Sequence, residues 1–299
     1  MEDKISRLLE GSYDIHLHAS PCLQARRMSI YELAKEAQRV GMKGFVVKDH
    51  NFPTGPYASI VNEVQQDVKV VGGITINRCV GGYNPLAVDA SFKLGGRVVW
   101  MPSLESRWTY EQMNSSHFRG AKNYKNLGTQ SDFSGLSAFR PGSEVELSEE
   151  VKDIIALCKQ YDGVFETSHF SKKETAAAIK EANRQGMKKF VITHANTEIT
   201  GYSIPEQKEL IEQGAVVMYT LDPYAAKPTL VSEDMEQLDH LIREVGAENI
   251  VLATDFGQNI WPPAVEGVRM LISILLFFGI PEADIRLMLT ENPERLYMD

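Results

Sequence analysis

Short apolar runs rich in β-branched residues recur along the chain, and most are followed by a segment whose apolar positions return every three or four residues. The runs are Tyr13–Leu17, Gly44–Lys48, Val68–Thr75, Arg97–Met101, Gly163–Thr167, Lys189–Thr193, Ala215–Tyr219 and Asn249–Ala253. They are apolar on both faces, as expected of parallel strands buried between helices and a core. Amphipathic segments between them include Ser29–Val40, Ser148–Tyr161, Lys173–Gln185, Pro205–Glu212, Glu233–Val245 and Ala264–Phe278. Gly41, Gly186 and Gly214 follow three of these segments just before the next strand, where glycine relieves a left-handed helix end. Eight strands separated by helices predict a (β/α)8 TIM barrel, one domain over residues 1–299. A doubly wound open sheet has the same local pattern, so the choice between them falls to the site residues.

The stretch from Ser106 to Leu147 interrupts this rhythm. It is rich in Ser, Gly, Asn and Arg and contains no convincing strand. A loop of this length inside a compact domain is usually functional or disordered. Because it follows the fourth strand, a barrel would place it over the C-terminal mouth as a lid, where chemistry occurs in this architecture. The plain alternative is a surface insertion with no role.

Composition narrows the partners. With 31 Lys+Arg against 40 Asp+Glu among 299 residues, the net charge is −9. This acidic balance, with no basic block, argues against nucleic acid. The N-terminus lacks a basic region followed by an apolar stretch, and the apolar run Met270–Ile280 is too short for a bilayer, which takes ~20 residues. Three cysteines with no paired spacing indicate neither a disulfide framework nor a cysteine zinc site. The expectation is a cytoplasmic globular protein acting on a small molecule, with homo-oligomerisation left open.

The histidines carry the chemistry. His16, His18, His50, His169 and His194 fall at or just beyond the ends of four strands, and Asp255 follows the last strand. His16 and His18, two apart on a strand, project to one face. A single histidine at a strand end is more often a hydrogen-bonded structural group. Four histidines and an aspartate from four strands, five residues recurring at the same position, would converge on one barrel mouth, with nitrogen and carboxylate donors suited to Zn, Mn or Fe. His240, in helical sequence, reads as a packing or surface residue, and His117 lies in the long loop.

At these residues the chain resembles the amidohydrolase superfamily of metal-dependent barrel hydrolases. The matching pieces are DIHLHASP after the first strand, SH at His169, THAN at His194, LATDFG at Asp255 and the terminal ENPERLYMD, spanning nearly the whole chain. More narrowly, VVKDHNFPT and GGYNPLAVDASFKLGGRVVWMPSLES look like the DUF6282 branch. The resemblance implies that His16, His18 and Asp255 hold a first divalent ion. His169 and His194 would hold a second ion or join the first site. Zn2+ is the first choice, with Mn2+ or Fe2+ as alternatives. Relatives often bridge two ions with a carboxylated lysine or a glutamate after strand four; here MPSLES supplies Glu105. The KDHN segment resembles the TDHN motif of the PHP phosphoesterases. His50 would then be a further ligand, a donor to substrate or a base. Lys48 would be a partner for an anionic substrate, a carboxylated bridge, or simply half of a salt bridge.

The expected activity is hydrolysis of an amide, cyclic amide or lactone, with Asp255 as ligand and proton acceptor. Arg107, Arg119 and Arg140 around the long loop are candidates to receive a carboxylate or phosphate, although most loop cations are merely solvated. The alternatives are a phosphoesterase, a metal-dependent decarboxylase on the same barrel, and a metal-binding protein without turnover.

Overall fold

A computed structural model of the chain describes residues 2–113, 134–222 and 233–298. Its strands are β1 (Tyr13–Leu17), β2 (Gly44–Val47), β3 (Lys69–Thr75), β4 (Gly96–Trp100), β5 (Val164–Glu166), β6 (Phe190–Ile192), β7 (Val216–Thr220) and β8 (Ile250–Ala253). They pair in parallel and in sequence order, each within a residue of the limits expected from the pattern. Where β8 meets β1, Asp255 N donates to His16 O (2.9 Å) and His18 N to Phe256 O (2.7 Å). These bonds bring the first strand against the last and select the barrel over the open sheet.

The helices are α1 (Glu2–Leu9), α2 (Ile30–Arg39), α3 (Gly55–Val64), α4 (Pro85–Lys93), α5 (Arg107–Met113), α6 (Glu149–Gln160), α7 (Lys172–Gln185), α8 (Ile204–Glu212), α9 (Glu233–Val245), α10 (Ala264–Phe277) and α11 (Glu282–Arg286). Ser29 and Ser171 open α2 and α7 as capping boxes with Glu32 and Glu174, satisfying amides that have no partner inside the helix. Gly186 closes α7 at φ +78°, the left-handed cap that its position implied. None of the described helices is long and apolar enough to cross a membrane.

Two apolar layers result. One lies between strands and helices. The other fills the barrel with inward residues such as Ile15, Val46, Trp100, Val164, Met218 and Ala253, and takes in Leu296, Tyr297 and Met298 from the C-terminal turn. The stretch after β4 is not all loop, since it begins with α5, and its base is held by bridges Ser106–Leu136 and Phe139–Leu147. Positions 114–133, including His117 and Arg119, lie outside the described residues.

Candidate metal centre

Strand alternation carries the interior upward into the site. Two residues beyond inward Val46, Val164 and Ala253 come Lys48, Glu166 and Asp255. On β1 the register shifts between Asp14 and Leu17, and the inward series passes from Ile15 to His16, which packs edge-on against Trp100 at 6.2 Å. Ser168, His194 and Asp255 have φ of +49°, +57° and +56°. Left-handed backbone costs a non-glycine residue on the order of 1–3 kcal/mol, and such strain collects at functional positions. Gly257 lets the chain pass: a Cβ there would meet His18 O at 1.9 Å.

Asp255 is the hub. Its Oδ1 lies 3.1 Å from His18 Nε2 and 3.8 Å from His16 Nε2, and its Oδ2 is 3.8 Å from His194 Nε2. Donor atoms of His16, His194 and Asp255 all fall within 4.8 Å of one another. The two histidines are buried, while the Asp255 side chain keeps 16% of its surface exposed and so faces the mouth. His169 packs edge-on to His194 at 5.5 Å, and His50 stacks on His18 at 4.9 Å.

Burial pushes the imidazoles of His16, His18, His50, His169 and His194 down, His194 to about 3, so they stand neutral at pH 7. Burial works against ionisation of Asp255, but a proton or cation shared with His18, His16 and His194 holds it well below the usual carboxylate range. Proton placement then decides what fits. His18 Nδ1 lies 2.9 Å from the Lys48 carbonyl, which can only accept, so Nδ1 carries the proton. In the neutral ring, Nε2 therefore turns a lone pair towards Asp255 Oδ1. Two acceptors at 3.1 Å call for a proton or a cation between them. The N, N, O donor set suits a divalent transition ion.

Under the site lies Glu166, which sequence reasoning missed. It is fully buried, accepts from Thr193 Oγ1 and Tyr297 OH (both 3.0 Å), and stands 3.6 Å from His16 Nδ1. Burial raises its carboxyl to about 7. The available signal was an acid inside a buried apolar strand, which needs a partner. Lys48 is also buried, 3.4 Å from both His16 Nε2 and Ser168 Oγ, with Nζ 5.8 Å from the Trp100 ring centroid. Burial lowers it to about 8.

Glu105, Arg107 and Arg140 stand outside this cluster. Glu105 accepts from the Arg78 amide (2.5 Å) and is not one of the clustered donors. Arg107 pairs with Glu111 and Arg140 with Glu146, both on the surface. His50 stays beside His18 with its Nδ1 2.9 Å from Ser103 Oγ, and His240 is exposed on α9, as its reading as a surface or packing residue expects.

A buried hydroxyl on α5, Thr109, reaches His169. Its Oγ1 donates to Ser103 O (3.0 Å), receives the Ser106 hydroxyl proton (2.8 Å) and lies 3.0 Å from His169 Nδ1. With its only proton given to a carbonyl, Thr109 accepts from His169 Nδ1–H, leaving His169 Nε2 unprotonated. Thr109→Val is therefore expected to shift His169 towards the other tautomer and weaken metal uptake by ~10- to 100-fold, while Thr109→Ser preserves both. Nitrogen-15 spectra of the histidine rings and metal titration check this; unchanged spectra and uptake in Thr109→Val refute it.

Residues 11–218 match the DUF6282 family, described as a family of unknown function. No curated protein matches the sequence. Solved structures share the fold at low identity. An amidohydrolase from Pseudomonas aeruginosa is 15% identical with TM-score 0.62, covering 98% of this chain and 97% of its own. A dipeptidase AC described as a metallopeptidase is 15% identical with TM-score 0.61, covering 97% and 100%. An organophosphorus hydrolase from Deinococcus radiodurans is 14% identical with TM-score 0.58, covering 98% and 93%.

Proposed function

We propose, from the premise that the chain belongs to the DUF6282 family, that it is a metal-dependent hydrolase of the amidohydrolase type, acting on an amide, cyclic amide or lactone of a small molecule. The observation that carries this reading is the opposed pair of acceptors, His18 Nε2 and Asp255 Oδ1, beside His16 and His194. His16, His18, His194 and Asp255 would hold the ion, Zn2+ first among the candidates, with His169 completing the set or starting a second site. When bound, a divalent ion lowers the pKa of water and polarises the electrophile. Asp255, ionised and partly open to the mouth, takes the proton of the attacking water at a carboxylate oxygen and passes it to the leaving group. Thr109 and the Lys48 carbonyl fix the His169 and His18 rings, and Glu166 faces the Nδ1 edge of His16.

The test is a screen of lactones, cyclic amides, N-acyl compounds and phosphoesters with protein loaded with Zn2+ or Mn2+. Turnover that disappears with a chelator and returns with the metal is expected. Carbon dioxide release without water consumption would identify a decarboxylase instead. Metal content under about a tenth of an equivalent after loading would overturn the metal reading.

A further inference from the structure

The loop between β1 and α2 sets one guanidinium against the site. Its backbone is pinned on both sides: Ser20 N donates to Met28 O (2.9 Å), Ile30 N to Ser20 O (2.9 Å) and Arg27 N to Gly257 O (2.8 Å), and Arg26 bridges to Gln258. Arg26 is thus fixed beside the segment that carries Asp255. Its half-buried side chain makes two described contacts, Nε to Cys22 Sγ at 3.2 Å and Nη2 to His18 Nδ1 at 3.4 Å.

Neither contact satisfies it. His18 Nδ1 already carries the proton that it gives to Lys48 O, and a guanidinium only donates, so the approach to His18 sets donor against donor. The thiol sulfur of Cys22 is only a weak acceptor. Elsewhere the chain places arginines on carboxylates: Arg39 on Glu36, Arg184 on Glu181 and Arg243 on Asp239. Among the described residues Arg26 has no such ion pair. Nη2 beside the His18 ring and the bridge to Gln258, three residues past Asp255, set its charge at the same chamber.

We propose that Arg26 anchors an anionic group of the substrate, a carboxylate or phosphate offering two oxygens to its guanidinium at the β1 side of the mouth. A planar fork of donors matches such an oxyanion, and removal of water at a half-buried position strengthens the pair. Lys48 supplies a second positive charge deeper in the chamber. This deepens the hydrolase reading by naming its substrate class as anionic, and rests on that reading only for the substrate's presence, not for the anchor itself.

Calorimetric titration of Zn2+-loaded wild type, Arg26→Met and Arg26→Lys with inorganic phosphate and with acetate tests the proposal. The wild type should bind at least one of them, and the tighter one identifies the oxyanion. Arg26→Met should weaken that binding roughly 10- to 100-fold, the loss expected of a charge-assisted hydrogen-bonded pair, and Arg26→Lys should keep part of it. The same dependence on Arg26 in chelator-treated protein separates the anchor from direct binding of the anion to metal. Metal content and melting temperature establish that the variants are folded and loaded. Equal affinity in wild type and Arg26→Met, or no binding of either anion by the wild type, overturns the proposal. If the protein takes up no metal yet binds the anion through Arg26, the metal reading fails and the anchor stands.

Discussion

The double variant His16→Ala, His18→Ala is expected to lose tight divalent-metal uptake, where the wild type takes one or two ions per chain. The two rings arrive from one strand and turn Nε2 towards Asp255 at 3.8 and 3.1 Å, so their removal leaves His194 and Asp255 without β1's share of the donors. Elemental analysis after loading reads the loss directly. Thermal unfolding reads it independently, because a ligand bound only by the folded state stabilises it, by ~2.7 kcal/mol at a hundredfold excess over Kd. Added Zn2+ should raise the wild-type melting temperature and leave that of the variant where it is. A folded variant with full metal content would move the ion away from β1, towards His169 and His194. Circular dichroism on the metal-free proteins separates lost ligation from lost fold, since both rings are buried.

What the sequence disclosed follows from what is local. The eight apolar runs were legible because a strand buried on both faces needs little beyond its own residues, and Gly41, Gly186 and Gly214 all take the positive φ their positions implied. The histidines were legible for a similar reason, as polar groups standing where apolar runs stop. Helices α3 and α4 were harder to read: Ile60, Val64 and Leu86 are exposed, which blurs the apolar stripe that marks an amphipathic helix. Glu166, Thr109 and Arg26 were hidden because their roles depend on distant partners. Glu166 meets Tyr297 across 131 residues, Thr109 meets His169 across 60, and Arg26 lies beside Gln258 only after β8 closes on β1. Glu105 misled for the complementary reason, since position after a strand does not say which way a side chain turns, and its carboxylate went to the Arg78 amide.

Asp255→Asn is expected to lower turnover by ~10²- to 10⁴-fold, the usual size of a general-base contribution. Asparagine keeps the shape and one oxygen donor but cannot accept the proton of the attacking water. The native carboxylate is suited to that task because a proton or cation shared with His18, His16 and His194 holds it ionised against burial, while 16% of its side-chain surface stays open to the mouth. The loss should fall mainly on kcat, since an anchor such as Arg26 on the neighbouring loop remains in place. In the native enzyme the acid limb of the pH–rate profile should report the metal, water and carboxylate together, because groups this close titrate as a unit. The substitution also alters the contact at His18: the amide can turn its NH2 to the ring nitrogen, supplying the donor that the native pair lacks and competing with an ion for that lone pair. Metal content must therefore be matched before rates are compared, by loading the variant at higher Zn2+. A metal-replete Asp255→Asn enzyme with near-native kcat would remove Asp255 from the proton path. His50, stacked on His18 with its Nδ1 held by Ser103, would become the next base to replace.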